Sequence, residues 1–321
     1  MIELVPDRVT RAAIRINCAR RLRRERRGGA GRQRAFRDEL RASPIALHTE
    51  KANEQHYEVP TEFFRLVLGP RLKYSCCLWP PGVSTLAGAE EAMLALTCER
   101  AQIEDGMEIL DLGCGWGSLS GWLCERYPAA RIVAVTNSRT QRDHVSSLGH
   151  PNLEVVRADA NAFEPDRRFD RIVSVEMLEH VRNYERMLGR IANWLRPEGK
   201  LFVHVFSHRR YAYPYDASWL ARRFFTGGTM PSHDLLPSLA AALEVEEEWT
   251  VDGTHYARSA DAWLDRLDAN AAHLGRFLPA RELAEWRIFF MACAELWGYR
   301  GGSEWMVSHY RFRPSSATMA S

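Results

Sequence analysis

Between residues 107 and 208 the chain alternates short apolar runs with longer stretches whose apolar positions recur at helical spacing. The apolar runs are Glu108 to Leu112, Arg131 to Thr136 (RIVAVT), Leu153 to Ala158, Phe169 to Val175 (FDRIVSV) and Lys200 to Phe206 (KLFVHVF). Runs of Val, Ile and Leu without polar alternation predict strands buried on both faces. Between them, SLSGWLCERY reads as a helix, and so does Tyr184 to Leu195, which stops at Pro197-Glu198-Gly199. Such alternation predicts an α/β fold with a parallel, doubly wound sheet and right-handed crossovers, whose ligands sit beyond the carboxyl ends of the strands.

Outside this stretch the pattern changes. Asp7 to Leu40 predicts two helices broken at Gly28-Gly29-Ala30-Gly31, with few apolar positions, hence a peripheral arm. Thr61-Glu62 opens a short helix carrying Phe63, Phe64, Val67 and Leu68, Pro80-Pro81-Gly82 is a turn, and Thr85 to Ala101 is a helix. Arg209 to Leu243 is aromatic-rich, Glu244 to Val251 predicts a sixth strand, Ala260 to Tyr299 is mainly helical, and Trp305 to Phe312 predicts a last strand. The division expected is an N-terminal helical arm and cap over residues 1–100, a core over 101–208, a helical lid with the last strands over 209–314, and a disordered tail over 315–321.

Composition narrows the setting. The 321 residues, 46% of them hydrophobic, suffice for one large core or two smaller ones. No apolar run approaches the roughly 18 residues of a membrane span, and no signal peptide is visible. Seven cysteines without a CxxC pair point to free thiols in a reducing cytoplasm, and no zinc or other metal site is expected. The net charge of +2 hides an asymmetry, since the first 50 residues hold 13 Arg against 6 Asp and Glu. The run Arg20 to Arg27 (RRLRRERR) reads as a solvated helix face. It would also suit nucleic acid or an anionic membrane, but no aromatics are interleaved for single-strand stacking.

The candidate chemistry centres on Ile109 to Gly117, ILDLGCGWG. Asp111 is followed by Gly113, Gly115 and Gly117, and then by a helix. Glycine permits positive φ and close approach of a ligand, and the new helix offers unpaired N–H groups. The GxGxG spacing is not the dinucleotide fingerprint GxGxxG. An acid before the first glycine, with no basic residue in the loop, favours a ligand carrying an amine over a phosphate. The pattern DxGxGxG resembles motif I of the S-adenosylmethionine (SAM) methyltransferases.

Three further strand ends carry polar groups. The fourth strand runs into SVEMLEHVRNY, placing Glu176, Glu179 and His180 just past its end. Two carboxylates and an imidazole so close can attract a cation and accept its proton; acids there would also complement a helix dipole. The second strand ends in Asn137, followed by Gln141, suited to hydroxyl groups; Asn137 also reads as a helix cap. The third leads to Asp159-Ala160, where an acid can accept from an amine and the next N–H can donate.

Taken in order, HYEVPTEFFRLVLGPRLKYSCCLW, ILDLGCGWGSLS, VTNSRTQ, SVEMLEHVRNY, FFTGGTMPS, GTHYARSADAWL and AELWGYRGGSEWMVSHYRF resemble the cyclopropane fatty acid synthase superfamily, and more closely its coclaurine N-methyltransferase-like branch, from about Asn53 to Phe312. The resemblance implies a class I SAM methyltransferase with a mostly parallel seven-stranded Rossmann-like sheet under an N-terminal and inserted helical lid. It implies that Tyr74 and Ser75 meet the SAM carboxylate, that Asp111, Gly113 and Gly115 belong to the turn holding its methionine end, that Val175 is also cofactor-binding, and that Asn137, Gln141, Asp159 and Ala160 contact ribose and adenine. It makes Glu176, Glu179 and His180 the catalytic cluster, with the histidine, backed by glutamate, deprotonating an amine. Tyr57, Phe225, His255, Tyr256, Trp305 and Met306 fall on the substrate side.

The expected reaction is N-methylation of a small, apolar, cyclic or aralkyl amine of the tetrahydroisoquinoline kind. Lipid cyclopropane synthases resemble AFEH where this chain reads MLEH, and here Glu176 replaces a small residue, which favours an amine over an alkene. Methylation of unsaturated phospholipid chains is the alternative. The expected partners are a small molecule, with no nucleic acid, no membrane insertion beyond weak contact through the arm, and a homodimer.

Overall fold

The computed structural model describes residues 5–46, 59–215, 219–225 and 227–315. The strands are β1 (Glu108–Leu112), β2 (Arg131–Thr136), β3 (Leu153–Arg157), β4 (Phe169–Val175), β5 (Leu195–His208), β6 (Tyr213–Pro214), β7 (Thr229–Met230), β8 (Leu243–Val251) and β9 (Trp305–Pro314). Seven of them form one sheet in the order β3-β2-β1-β4-β5-β9-β8, and β6 pairs with β7 apart from it. The first five are mutually parallel, whereas β9 runs antiparallel to β5 and β8 on either side. Depth in the sheet follows the residue pattern. β2, apolar from Ile132 to Val135, is buried from its second residue on, while the edge strand β8, LEVEEEWTV, is buried only at its ends and between them is half-buried or exposed.

The helices are α1 (Asp7–Ala42), α2 (Thr61–Val67), α3 (Leu86–Ala101), α4 (Ser118–Arg126), α5 (Arg139–Ser146), α6 (Tyr184–Trp194), α7 (Trp219–Phe224), α8 (Leu235–Leu239), α9 (Gly253–Ala269), α10 (Ala271–Leu274) and α11 (Ala280–Trp297). The span of α1 is two helical segments that meet at Gly29 (φ 58°, ψ −162°), whose non-helical backbone breaks the run within the glycine stretch where the break is expected. One local expectation changes. β5 begins at Leu195, so Pro197-Glu198-Gly199 forms a register irregularity within the strand and not a loop.

α1 has few apolar positions and docks by charge. Arg11 bridges Asp261 and Glu295, Arg15 pairs with Glu295, Arg37 with Asp234 and Arg41 with Glu185. Arg23, Arg24, Arg26 and Arg27 stay exposed. α9, α11 and α2 build an aromatic cluster over the sheet, with Phe63, Phe64, Trp263, Trp286, Phe290 and Trp305 fully buried. β9 continues to Pro314, and the Ser315 N–H donates to the Ala242 carbonyl, so order extends one residue into the stretch expected to be disordered; 316–321 lie outside the described residues. No helix among the described residues is long and apolar enough to cross a membrane. The seven cysteines are free thiols, and no group of three or more His, Cys, Asp or Glu among the described residues is placed to hold a metal.

Candidate active site

Two cavities, of about 800 and 890 Å³, open beyond the carboxyl ends of the parallel strands, and Glu176 and His180 line both. The first lies over the turn after β1. There Gly113 takes φ 90° and its N–H, with that of Cys114, donates to the Val135 carbonyl, pinning the turn to β2. A Cβ on Gly113 would stand 2.5 Å from the Met177 side chain, so both backbone angle and space require glycine. A smaller hollow beneath the turn, lined by Tyr74, Ser75, Asp111, Trp116, Ser118 and Val175 among others, shares Gly113, Gly115, Gln141 and Glu176 with this cavity.

The floor of this region is polar and under-satisfied. Asp111 is buried and accepts from Ser120 Oγ at 2.6 Å, and burial pushes its carboxyl up to about 6. Gln141 accepts from Thr136 Oγ1 at 2.7 Å through its oxygen, which leaves its Nε2 as a buried donor without a partner among the described residues. Trp116 Nε1 and Ser118 Oγ are in the same condition. Buried polar groups are almost always paired in a native fold, so these atoms fit a polar ligand such as SAM. Ser138, not Asn137, caps α5, accepting from the Gln141 N–H, and Asn137 lines the cavity.

The second cavity is aromatic. Phe225 lies parallel to the His180 ring at 6.4 Å between centroids and stacks on Tyr215 at 5.0 Å. Tyr74, Phe206, Phe289 and Trp297 add further walls. At the junction Glu176 holds a left-handed backbone (φ 48°), rare for a non-glycine residue. Its carboxylate accepts from the Cys76 N–H at 2.8 Å, from His204 Nε2 at 3.2 Å and from the Tyr256 hydroxyl at 2.5 Å. Burial raises its pKa above the ordinary carboxylate value, opposed by the charge of Lys73 and these hydrogen bonds. Burial lowers the pKa of His180, against the opposing charge of Glu176, which favours the neutral imidazole.

Glu179 differs from Glu176, three residues before it. It is fully buried, and its Oε1 accepts from the Phe206 N–H at 2.8 Å. Its Oε2 has no hydrogen-bond partner among the described residues. Burial, reinforced by the nearby Glu176, raises its pKa well above the usual value. It lines neither cavity.

Comparison with known proteins bears on this site. Residues 46–302 match the family model of mycolic acid cyclopropane synthetase. (S)-Coclaurine N-methyltransferase of Thalictrum flavum subsp. glaucum is 36% identical over 97% of this chain and 92% of that enzyme. The enzyme of the same name from Papaver somniferum is 33% identical over 97% of this chain and 95% of its own length. The crystal structure of coclaurine N-methyltransferase bound to N-methylheliamine and S-adenosylhomocysteine superposes with a TM-score of 0.92, at 34% identity, covering 97% of this chain and 96% of that one. The chain belongs to the mycolic acid cyclopropane synthetase family, in its coclaurine N-methyltransferase-like branch. It is a SAM-dependent methyltransferase of the class I fold, and SAM is its cofactor.

In this methyltransferase the residues expected around SAM gather unevenly. Tyr74, Ser75, Asp111, Gly113, Gly115, Asn137, Gln141, Ala160 and Val175 line the first cavity or the hollow beneath it. Asp159 does not line it; its Oδ1 is held by the backbone and side-chain N–H groups of Asn161 at 2.7 and 2.8 Å. On the aromatic side Phe225 and Tyr256 line the cavity, and Tyr57 lies outside the described residues. Trp305 and Met306 do not line it. They open β9 opposite His208 and Ser207, and Trp305 is fully buried with its Nε1 donating to the Tyr213 hydroxyl at 2.7 Å. His255 is also off the cavity wall, since its Nδ1 accepts from the Trp79 N–H at 2.9 Å and anchors the loop that carries Tyr74 and Ser75. The wall expected from Trp305 and Met306 comes instead from Phe289, Cys293, Leu296 and Trp297 on α11. Nothing in a buried amphipathic helix marks those positions beforehand. His204 on β5 was also missed, although a histidine inside the apolar run KLFVHVF is a legible anomaly.

Proposed function

We propose that this enzyme methylates the nitrogen of a small, apolar, cyclic or aralkyl amine of the tetrahydroisoquinoline kind. The observation that carries this reading is the meeting of the glycine-turn cavity and the aromatic cavity at one neutral imidazole and one buried carboxylate. Asp111 would meet an ammonium group, and the side-chain N–H groups of Gln141 and Trp116 with the Ser118 hydroxyl would hold the remaining polar groups of the donor. Bound SAM supplies an electrophilic methyl group on a sulfonium. A secondary amine arrives mostly protonated and cannot attack carbon. The Glu176 carboxylate draws the cation in, the faces of Phe225 and Tyr256 stabilise it, and neutral His180 accepts its proton. Glu179, buried behind the turn, keeps that turn against β5 through the Phe206 N–H. Residues 101–208 act as the donor-binding core, and the helices before and after it act as arm, cap and lid.

The test is a methyl-transfer screen of secondary and tertiary amines beside vesicles of unsaturated phospholipid. Turnover of tetrahydroisoquinolines is expected; turnover of the vesicles with none of the amines would overturn the reading in favour of lipid modification. His180→Ala should lower kcat by about 10²- to 10⁴-fold, the usual worth of a general base, with SAM affinity nearly unchanged. Wild-type kcat in that variant would remove His180 as the base. Seven free cysteines support a reducing, cytoplasmic setting. The exposed Arg23, Arg24, Arg26 and Arg27 provide a weak contact for anionic membranes, which vesicle sedimentation at varied salt would test, and sedimentation velocity would test a homodimer.

A further inference from the structure

Behind Glu176 a line of hydrogen bonds leaves the cavities and runs along one face of the sheet, across β5 and β9, to the end of α3. His204 Nε2 lies 3.2 Å from Glu176 Oε1. His204 Nδ1 lies 2.9 Å from His309 Nε2, and His309 Nδ1 lies 2.7 Å from the Arg100 guanidinium. The two histidines are directly opposed across the β5–β9 ladder and are almost wholly buried. Arg100 closes α3, half-buried, with its guanidinium over the Trp249 ring.

The polarity of this line is fixed at its outer end. A guanidinium has donors and no acceptor, so His309 Nδ1 must accept. His309 is then protonated at Nε2 and donates to His204 Nδ1, and His204 in turn presents an Nε2–H to Glu176. Two neutral rings in the same tautomer thus point every N–H toward the carboxylate. A second proton on either ring would have no acceptor within the line. Burial, with the nearby positive charges of Lys73 and Arg100, holds both imidazoles far below their ordinary pKa.

We propose that Arg100 and His309, remote from both cavities, are positioning residues for methyl transfer, which lock His204 as an N–H donor and thereby hold Glu176 as an oriented carboxylate. The inference rests on the role given to Glu176 above. Glu176 is faced by Lys73 and Cys76 from the loop before α3, and by Glu179 and His180 from its own turn. β5 contributes His204, α9 Tyr256 and α11 Cys293. Among these, His204 is oriented by His309, a partner beyond the site. Loss of that orientation removes one charge-assisted donor from the carboxylate, raises its pKa and moves the acid limb of kcat/KM toward higher pH.

The test compares His309→Leu, His309→Gln and Arg100→Gln with the full-length enzyme, using SAM and the best amine of the screen. His309→Leu should lower kcat/KM at pH 7 about tenfold, the worth of one hydrogen bond to a charged group, and raise the acid limb by about one pH unit. SAM affinity should change less than about twofold. His309→Gln, whose amide can accept and donate at once, should restore most of the loss. Arg100→Gln, at the half-buried end, should shift the limb the same way and covers the case in which His309→Leu does not fold. ¹⁵N-histidine spectra of the wild type should show both rings as neutral Nε2–H tautomers. An Nδ1–H tautomer at either ring, or wild-type pH profiles in His309→Leu or Arg100→Gln, overturns the inference. Glu176→Gln, run alongside, separates the two readings. Wild-type turnover there removes the role of Glu176 itself, whereas lost turnover with unchanged Arg100 and His309 variants removes only the relay.

Discussion

The cavity over the glycine turn and the aromatic cavity share Glu176 and His180 but are assembled by different means. The first is made mainly at the ends of β1, β2, β3 and β4, from backbone turns and short side chains that follow their strands, with the loop of Tyr74 and Ser75 closing the hollow beneath. The second takes Phe206 from β5, Phe225 from the stretch after α7, Tyr256 and Trp263 from α9, and Phe289 and Trp297 from α11, elements far apart in the chain. The lesson concerns specificity. A donor common to many enzymes can be met by local geometry that any strand-turn-helix supplies. An acceptor peculiar to one enzyme needs a surface composed from distant elements, which can change without disturbing the turn.

The strongest blow to the local half is Gly113→Ala. A Cβ there meets Met177 at 2.5 Å and φ 90° is strained for alanine, so SAM affinity should fall by about 10- to 100-fold, corresponding to about 1–3 kcal/mol of backbone strain. Isothermal titration reads this, and an unchanged Kd would show that the turn is looser than described.

Next comes a pH effect confined to the same half. The Asp111 carboxyl is raised from an ordinary 3.8 to about 6 in the folded chain. Folding therefore favours the protonated form, and the stability this lends is present at low pH and lost as pH rises from about 3.8 to 6. An ammonium ligand reverses the preference. SAM affinity should be flat above about pH 6 and fall by up to about tenfold per unit below it. Asp111→Asn should flatten the profile, and a slope that persists in that variant would place the titrating group elsewhere. The smallest effect belongs to the distant half. Phe225→Leu removes one aromatic face beside His180 and should raise KM for the amine several-fold, the size of one cation–π contact, with SAM affinity unmoved. An equal loss for both ligands would deny that the two halves are separable.

The same division governs how far the site could be read from the residues alone. β1, β2 and β4 lie at the bounds their apolar runs predict. Gly113, Gly115, Asn137, Gln141 and Ala160 reach one cavity because each stands just past a strand, where the doubly wound architecture puts its ligands. Asp159 stands past a strand as well, yet a neighbouring asparagine captures its carboxylate, a competition invisible to spacing.

Farther from the strand ends, position along the chain loses its power. Trp305 and Met306 sit beside the lid in sequence, but β9 runs into the sheet and carries them into the core. Glu176 and Glu179 are the same residue type three positions apart. The left-handed backbone at Glu176 turns one carboxylate to the cavities, and the 3-10 turn that follows sends the other inward to the Phe206 N–H. By itself the sequence determined the strands, the glycine turn and the chemistry at the ends of β1, β2 and β4, because periodicity and φ preference act over a few neighbouring residues. Only the tertiary structure decided which acid faces the ligand, which helix walls the aromatic cavity and how Arg100 reaches Glu176, because those depend on the facing of packed elements from opposite ends of the chain.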